Sequence, residues 1–500
     1  MGDNNSMRIL LIDPPFYRIF GFYKRYFPIG VTTVGTALRD ASHTVSVYDA
    51  DCNVNPTGMD YTRLTEKYKQ YLGSFRDAGN PIWLEVKKTI RNFNPDVVGI
   101  SIWTTFAASA FHIARICKEI KSSCSVIMGG PHAIVKAEEV LKLSPYVDYV
   151  IRGEGEIAVN ELVQCLENDN KNSLLAIAGL SYRHEGNTRH NPPRENARDL
   201  DIFPFPDRTL LMNESKYTSE DMGLIMTSRG CPFGCTYCST DTRRVSYRSI
   251  DNVLKEIRLV KERYGTSQFS FKDDSFTVNK KRVEDFCDRL IRDKFNIHWE
   301  CNTRVNLVTE DLLLKMKKAG CNGIKVGIES GSERVLKEMN KGITHDHVRS
   351  AAKLFRKFGI HWTGYFMMGV PGETVEDVYK TLDFMYEVKP DFASIGVYEP
   401  FPGTPMFAEG TKRGLVKPDM SMDDFYTTLP NHYYMMDTHK RIDTIEEERF
   451  IELEKEIKEA FHSYNKSFSQ VFKRVRSRAK LYIKEPRILT GDVKKYLSWR

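Results

Sequence analysis

The chain has 500 residues, a length that suits about three domains at the roughly 150 residues a domain typically uses. Its 41% hydrophobic and 28% charged content is that of a globular protein and excludes a collagen, a disulfide-stapled mini-protein and a wholly disordered chain. The 73 basic and 66 acidic residues leave a net charge of only +7, spread along most of the chain, so nucleic acid is not an expected partner.

The N-terminal MGDNNS has neither an apolar signal core nor an Arg-rich transit character. The longest uncharged stretch, Val97 to Ala114, contains Gly99, Ser101, Thr104, Thr105, Ser109 and His112. It reads as a buried strand turning into a helix, not as a membrane span. A cytoplasmic protein is expected. Ten cysteines are too few for a disulfide framework of this size, and three of them crowd into residues 231–238. In a reducing compartment such a cluster points to metal.

From Met7 to about Leu166, the apolar runs ILLID, TVSVYD, DVVGIS, SVIMGG and DYVIRG alternate with helix-length amphipathic segments. This predicts a doubly wound α/β domain with an open parallel sheet over residues 1–170. Ligands of such sheets bind outside the carboxyl ends of the strands. Those ends carry Asp13-Pro14-Pro15, Ser101-Ile102-Trp103-Thr104-Thr105, Gly129-Gly130-Pro131-His132 and Gly153-Glu154-Gly155-Glu156. Glycine permits close approach of a ligand to backbone, and Ser/Thr offers hydrogen bonds without charge. Each loop alone is a turn that the sheet needs anyway; four on one rim predict a site for a large cofactor.

Residues 171–220, with Pro192, Pro193, Pro204 and Pro206, read as a small hairpin and a linker. Alternation then resumes over 221–420 with LIMTSRG, QFSFKDD, IHWECNT, GIKVGIES, IHWTGYFMMG and FASIGVYEP, separated by helical stretches near 250–264, 280–294, 309–319, 344–357 and 374–388. Six such units suit a partial (β/α)6 TIM-like barrel, whose chemistry sits at the C-terminal strand ends. Residues 421–500 are expected to form a mostly helical cap: Tyr426, Tyr433, Tyr434, Met435 and Met436 precede a charged amphipathic helix over 443–480. A basic cluster there, Lys473, Arg474, Arg476, Arg478 and Lys480, fits a solvated helix face or an anionic partner. Near the N-terminus, Phe16, Tyr17, Phe20, Phe22, Tyr23, Tyr26 and Phe27 interleave with Arg18, Lys24 and Arg25. Such a run either packs or walls a flat or anionic ligand.

The most specific feature is Cys231-Pro-Phe-Gly-Cys235-Thr-Tyr-Cys238, directly after the first strand of the second half. Thiolate is the soft ligand preferred by zinc and by iron–sulfur clusters. A closed zinc site wants four ligands, usually as two hooks, and the second hook is missing. Cys287, Cys301 and Cys321 sit on scattered helix and strand positions and read as core filling. Three ligands on a four-iron cluster leave one iron open to a substrate or cofactor.

This cysteine loop, with Tyr237 before its last cysteine, resembles the signature of radical S-adenosylmethionine (SAM) enzymes. The resemblance implies a 4Fe-4S cluster held by Cys231, Cys235 and Cys238 as catalytic metal ligands. Its open iron takes the amino and carboxylate groups of SAM, and reduction cleaves SAM to a 5'-deoxyadenosyl radical. Further motifs follow in the family's order: Lys272-Asp273-Asp274-Ser275-Phe276, Asn302 and Arg304, Gly327-Ile328-Glu329-Ser330-Gly331, Gly369-Val370-Pro371-Gly372-Glu373-Thr374 and Pro400-Phe401-Pro402-Gly403-Thr404-Pro405. By resemblance, Tyr237, Asp273, Asp274, Asn302, Arg304, Glu329, Ser330, Pro371 and Gly372 line the SAM site.

The first half looks like the cobalamin-binding domain fused to the barrel in one radical SAM subclass, and the resemblance covers about residues 7–415. It implies that Asp13, Ser101, Trp103, Thr104, Thr105, Gly129, Gly130, His132, Gly153, Glu154 and Gly155 border the corrin. The Asp-x-His-x-x-Gly motif that ligates cobalt from below in other cobalamin domains is absent, as it is in many radical SAM relatives, and His132 reads as a turn or hydrogen-bonding residue. The implied activity is methyl transfer to an unactivated carbon of a small-molecule substrate, with a flavodoxin or ferredoxin as electron donor. Cobalamin-assisted ring formation, as in anaerobic chlorophyll synthesis, and a non-catalytic cobalamin sensor are the alternatives. A methylthiotransferase would carry a second three-cysteine set, whereas Cys52, Cys117, Cys124 and Cys165 are dispersed.

Overall fold

The computed structural model describes residues 6–22, 26–53, 61–240, 243–436, 442–484, 489–490 and 493. Tyr23, Lys24 and Arg25 lie outside the described residues, as do the side chains of Arg474, Arg476 and Lys480.

The five apolar runs of the first half become β1 (Arg8–Asp13), β2 (Thr44–Asp49), β3 (Val97–Ser101), β4 (Ser125–Gly129) and β5 (Tyr149–Ile151). They are parallel, in the order β2-β1-β3-β4-β5. Alternate side chains feed two cores. Ile9, Leu11, Val47, Val97, Ile127 and Ile151 face the helices Ile29–Asp40 and Gly155–Glu167. Leu10, Ile12, Val98, Ile100, Val126 and Met128 face Pro81–Phe93, Ala107–Ile120 and Pro131–Leu143. The strand order turns back between β1 and β3, and such a switch point opens a crevice at the strands' carboxyl ends. Asp13 and Ser101 stand there.

The expected hairpin, β6 (Leu180–His184) and β7 (Asn187–His190), is a continuation of this sheet: β6 pairs antiparallel with β5. The linker after it is anchored by Arg208, which is 1% exposed and donates to Glu256 Oε1 (3.0 Å) and to the carbonyls of Met222, Pro206 and Leu224, with Phe27 under its guanidinium.

The second sheet starts at β8 (Leu224–Ile225), passes through the short antiparallel pair β9 (Ser228–Arg229) and β10 (Ser246–Tyr247), and continues with β11 (Gln268–Phe271), β12 (His298–Thr303), β13 (Cys321–Glu329), β14 (His361–Met368) and β15 (Phe392–Val397). Strands β8, β11, β12, β13, β14 and β15 lie side by side in that order, all parallel. The helices Ile250–Tyr264, Lys280–Arg292, Glu310–Lys318, His345–Phe358 and Val375–Val388 fall where the periodicity predicts them. Phe269, Phe271, Trp299, Cys301, Val326, Trp362 and Phe366 are buried beneath them. The opposite side chains, Ser270, Glu300, Asn302, Lys325 and Tyr365, line a lumen that stays partly open. Among the described residues no pairing joins β8 to β15, which leaves the partial barrel expected.

The C-terminal region departs from expectation. One helix over 443–480 is two, Glu447–Lys466 and Phe468–Lys484, parted at Ser467, whose backbone is extended. Just before the break, Asn465 pairs with both the N–H (2.9 Å) and the carbonyl (2.6 Å) of Ala393, closing the outer edge of β15. Residues 405–436 return to the first domain, where Phe407, Leu415, Met420, Phe425, Tyr433 and Tyr434 join its core. No helix among the described residues is long and apolar enough to cross a membrane.

Arg208→Met should lower stability by about 3 kcal/mol in urea denaturation of the intact chain. The lower end of the range for breaking a buried ion pair applies because Arg248 still holds Glu256 at 2.6 Å.

Candidate functional site

The three-cysteine loop leaves β9 at the carboxyl end of the barrel and returns at β10. It is held from several sides: Thr236 N–H donates to Met339 O (3.0 Å), Asn340 Nδ2 to Gly234 O (2.8 Å) and Met406 N–H to Thr236 O (2.9 Å). Arg304, at the end of β12, stacks on Phe233 at 3.9 Å and points Nη1 at Cys235 Sγ (3.4 Å). Cys235 is buried, Cys231 half-buried and Cys238 exposed. Burial pushes the Cys231 thiol up, and Asp274, Cys238 and Cys235 push it further, so the three sulfurs are near enough to repel one another as thiolates.

A second polar group stands beside the loop. Tyr237 donates to Glu329 Oε1 (2.9 Å), and Lys341 Nζ donates to the same oxygen (2.7 Å) and to the Tyr237 hydroxyl (3.0 Å). Burial and the Glu329 carboxylate push the Tyr237 hydroxyl far up, so it stays a donor. Glu329 reaches this position because β13 shifts register between Gly327 and Glu329, and Glu329 itself takes a φ of 70°. Bulges re-aim side chains in this way. Two residues on, a Cβ on Gly331 would meet Lys380 O at 2.2 Å, so only glycine fits. Ser330 is buried, with its hydroxyl paired to Ser332 N–H and Thr381 Oγ1.

The Asp273–Asp274 pair divides its labour. Asp273 is enclosed, accepting from Thr227 N–H (2.6 Å), Thr227 Oγ1 (2.5 Å) and Ser228 Oγ (2.7 Å). Its carboxylate ties the end of β11 to the segment after β8, whereas the resemblance implies that it lines the SAM site. Asp274 is the exposed member, beside Cys231. Asn302 Nδ2 lies 3.4 Å from Asp273 O. Pro371 and Gly372 form a turn joined to the C-terminal region by Gly372 N–H donating to Asp443 Oδ1 (2.8 Å).

On the facing sheet, Asp13, Ser101, Trp103, Thr104, Thr105, Gly129, Gly130, Gly153, Glu154 and Gly155 all keep some exposure at the carboxyl edge, with Trp103 at 49%. The third and fourth loops interlock, Ile102 N–H donating to Gly129 O (2.8 Å) and His132 N–H to Ile102 O (3.2 Å). A Cβ on Gly130, at φ 116°, would come within 2.9 Å of Ile102 O. His132 lies beneath the rim, not on it. Its side chain is wholly buried, Nδ1 sits 3.0 Å from Thr104 Oγ1, and burial pulls it down to about 3, so it is a neutral packing residue out of reach of a rim-bound ligand.

Glu154, expected beside the corrin, instead bridges the halves of the molecule. Arg229, two residues before Cys231, donates to Glu154 Oε1 (2.8 Å) and Glu156 Oε1 (2.5 Å) and packs over Phe203 at 4.9 Å. Burial pulls its guanidinium down, but Glu156 and Glu154 outweigh that and raise it. A cleft of about 140 Å³ lies at this junction, lined by Ile134, Gly153, Glu154, Arg229 and Gly230 among others. The rim of one sheet therefore meets the cysteine loop of the other.

The residues fit the implied cofactors. Among the described residues no three His, Cys, Asp or Glu side chains converge on one metal ion. A cuboidal cluster does not require this, since it offers each thiolate its own iron. Three cysteines on one loop suit a cationic centre, which binds them as thiolates. The other seven cysteines are all buried, so the loop supplies three ligands and no fourth. A rim of glycine, Ser/Thr and an exposed indole, with no imidazole at its surface, suits a large, mostly uncharged macrocycle held without a His ligand.

Such a pairing of sheets is that of a two-layered α/β protein with a candidate cofactor site on each sheet. Residues 225–385 match the radical SAM superfamily and residues 21–163 the B12 binding domain. The "Uncharacterized methyltransferase PH0819" of Pyrococcus horikoshii is 38% identical over 324 residues, covering 64% of this chain and 70% of that protein. The anaerobic magnesium-protoporphyrin IX monomethyl ester cyclase of Cereibacter sphaeroides is 30% identical over 338 residues, 65% of this chain and 55% of the cyclase. The structure of the radical SAM methyltransferase TsrM from Kitasatospora setae, with cobalamin and a 4Fe-4S cluster bound, shares the fold. Its TM-score is 0.63 at 18% identity, over 82% of this chain and 79% of that one. The chain belongs to the cobalamin-dependent radical SAM enzymes, whose cofactors are a 4Fe-4S cluster, SAM and cobalamin.

Sequence reasoning missed Arg229, Lys341 and Phe233. Lys341 sits in a loop after the short helix Glu333–Glu338, where periodicity carries no signal.

Replacing Cys231, Cys235 or Cys238 by Ala should strip iron and sulfide from the anaerobically reconstituted protein and abolish deoxyadenosine formation, read by metal analysis and chromatography. A pH effect arises beside the Pro371 turn. Glu373 is fully buried, and burial pushes its carboxyl up to about 8 from the ordinary 4.5, against the pull of backbone donors at Gly369 and Val370. The native state thus holds a proton that the unfolded chain has released, and stability falls as pH rises from about 4.5 to 8. Glu373→Gln should flatten that decline relative to wild type in melting temperatures measured across the same interval.

Proposed function

We propose that this enzyme transfers a methyl group to an unactivated carbon of a small-molecule substrate. The observation that carries the reading is the Arg229 bridge, which joins the glycine-rich rim to the root of the cysteine loop and so supports a shared site. When bound, the cluster supplies the electron that cleaves SAM, and cobalamin supplies the methyl group.

The chain's own residues position and exclude. Cys231, Cys235 and Cys238 hold the cluster, and Arg304 fixes their loop from below through Phe233 and Cys235. The Tyr237–Glu329–Lys341 group, with Asp274 and Asn302, borders the SAM side. Asp13, Ser101, Trp103, Thr104, Thr105, Gly129, Gly130, Gly153 and Gly155 border the corrin. No side chain is assigned as proton acceptor. Reduction calls for a small redox protein of flavodoxin or ferredoxin type, and the described cysteines, all free thiols, suit a cytoplasmic setting.

Methyl transfer is supported by the name of the 38% identical relative, whereas the 30% identical cyclase supports ring formation as a second reading. Product mass separates them. Anaerobic reconstitution with iron, sulfide, cobalamin, SAM and a reductant, followed by incubation with a metabolite extract, should give deoxyadenosine and a product heavier by about 14 Da, one methyl in place of hydrogen. A product that has lost hydrogen without gaining carbon would replace methylation by cyclisation.

A further inference from the structure

The lumen of the barrel carries a charge arrangement outside the residues assigned above to the cofactors. On β12 and β13, Glu300 and Lys325 point inward and pair, Lys325 Nζ lying 2.5 Å from Glu300 Oε1, and Ser270 on β11 donates to the same carboxylate oxygen (2.8 Å). The ammoniums of Lys325 and Lys272 hold Glu300 down at about 2 in spite of its burial. Its negative charge is therefore permanent and already engaged.

Lys272, just past β11, is different. Among the described residues no carboxylate lies in ion-pair contact with it; its ammonium sits 4.0 Å from the ring centre of Tyr26, which reaches over from the first domain. Burial and the neighbouring Lys325 pull Lys272 down, against the attraction of Glu300 and a hydrogen bond with Tyr26. Two ammoniums thus face one carboxylate, and the surplus positive charge resides on Lys272. The surroundings are open enough for a guest: Tyr26 is 44% and Tyr365, inward-facing on β14, 39% exposed. The Tyr26 hydroxyl satisfies at most one of the three donors of this ammonium, and a half-buried ammonium is costly to leave without further partners.

We infer that the lumen is the subsite for an anionic oxygen group of the substrate, carboxylate or phosphate, with Lys272 as its main contact and the faces of Tyr26 and Tyr365 beside the attached body. This rests on the proposed function in treating the lumen as the substrate chamber. Of the N-terminal aromatic run, Phe16, Phe20, Phe22 and Phe27 are core residues, and Tyr26 is the member that meets this chamber.

The test is calorimetric titration of the anaerobically reconstituted holoenzyme, saturated with SAM and without reductant, using benzoate, phenyl phosphate and neutral benzyl alcohol at constant ionic strength. At least one anion should bind, with benzyl alcohol weaker by about tenfold or more, as expected for loss of a charge-assisted hydrogen bond. Preference for benzoate or for phenyl phosphate tells a carboxylate substrate from a phosphorylated one. Lys272→Gln should lose about tenfold or more in anion affinity, while Lys272→Arg, which keeps the charge, should lose much less. Matching iron content and circular dichroism certify that the variants are folded. Equal affinity for benzyl alcohol and the anions, or wild-type affinity in Lys272→Gln, overturns the inference. Adding reductant to the same preparation separates it from the reading beneath it. Anion binding without deoxyadenosine upholds the subsite and sinks the radical chemistry; deoxyadenosine without anion binding does the reverse.

Discussion

One guanidinium couples the two halves of this molecule. Arg229 lies on the short strand that leads into the cysteine loop, and its two carboxylate partners lie on the loop and helix start that close the rim of the other sheet. A buried ion pair adds little net stability over a well-packed apolar contact. What it adds is geometry: two amines of one planar group engage two carboxylates, so the rim is set in angle as well as in distance relative to the sulfurs two residues away. An apolar contact would tolerate sliding, whereas this bridge does not.

The rest of the inter-domain surface reinforces this placement from the far side of the chain. After the barrel, residues 405–436 return to the first domain, where Tyr434 donates to the buried Glu139 (2.5 Å) and Met420 N–H donates to the same carboxylate (3.2 Å). Burial pushes Glu139 up, and Tyr434, Lys136 and Met420 oppose that. The buried carboxylate thus ties the returning segment to the helix Pro131–Leu143, and that helix begins at the Gly129-Gly130 rim.

Elements whose pattern is local were legible in the sequence. The parallel strands and the five barrel helices follow from period-two and helical spacing, and the cysteine loop from its own residues. What depended on distant partners was not. Nothing local says that β6 and β7 extend the first sheet, or that Asn465 ends one helix in order to close the edge of β15. The Asp273–Asp274 pair announces a polar strand end, yet which carboxylate is spent on Thr227 and Ser228 depends on a strand 45 residues earlier. His132 and Glu154 stand in rim motifs, but one packs beneath the surface and the other is taken by Arg229, a contact 75 residues away in sequence.

The barrel strands separate stability from specificity by the plainest device a strand has. Phe271, Trp299, Val326 and Trp362 turn outward into the helix layer and carry the apolar burial, while Ser270, Glu300, Lys325 and Tyr365 turn inward and stay partly exposed. A change on the inner face removes little apolar area from the core and leaves the helix packing intact. The exception is the Glu300–Lys325 pair, where loss of one partner strands the other in a poorly hydrated lumen. The surplus positive charge falls on Lys272 at the mouth of the strands, where the partly exposed Tyr26 leaves its ammonium open to a further ligand.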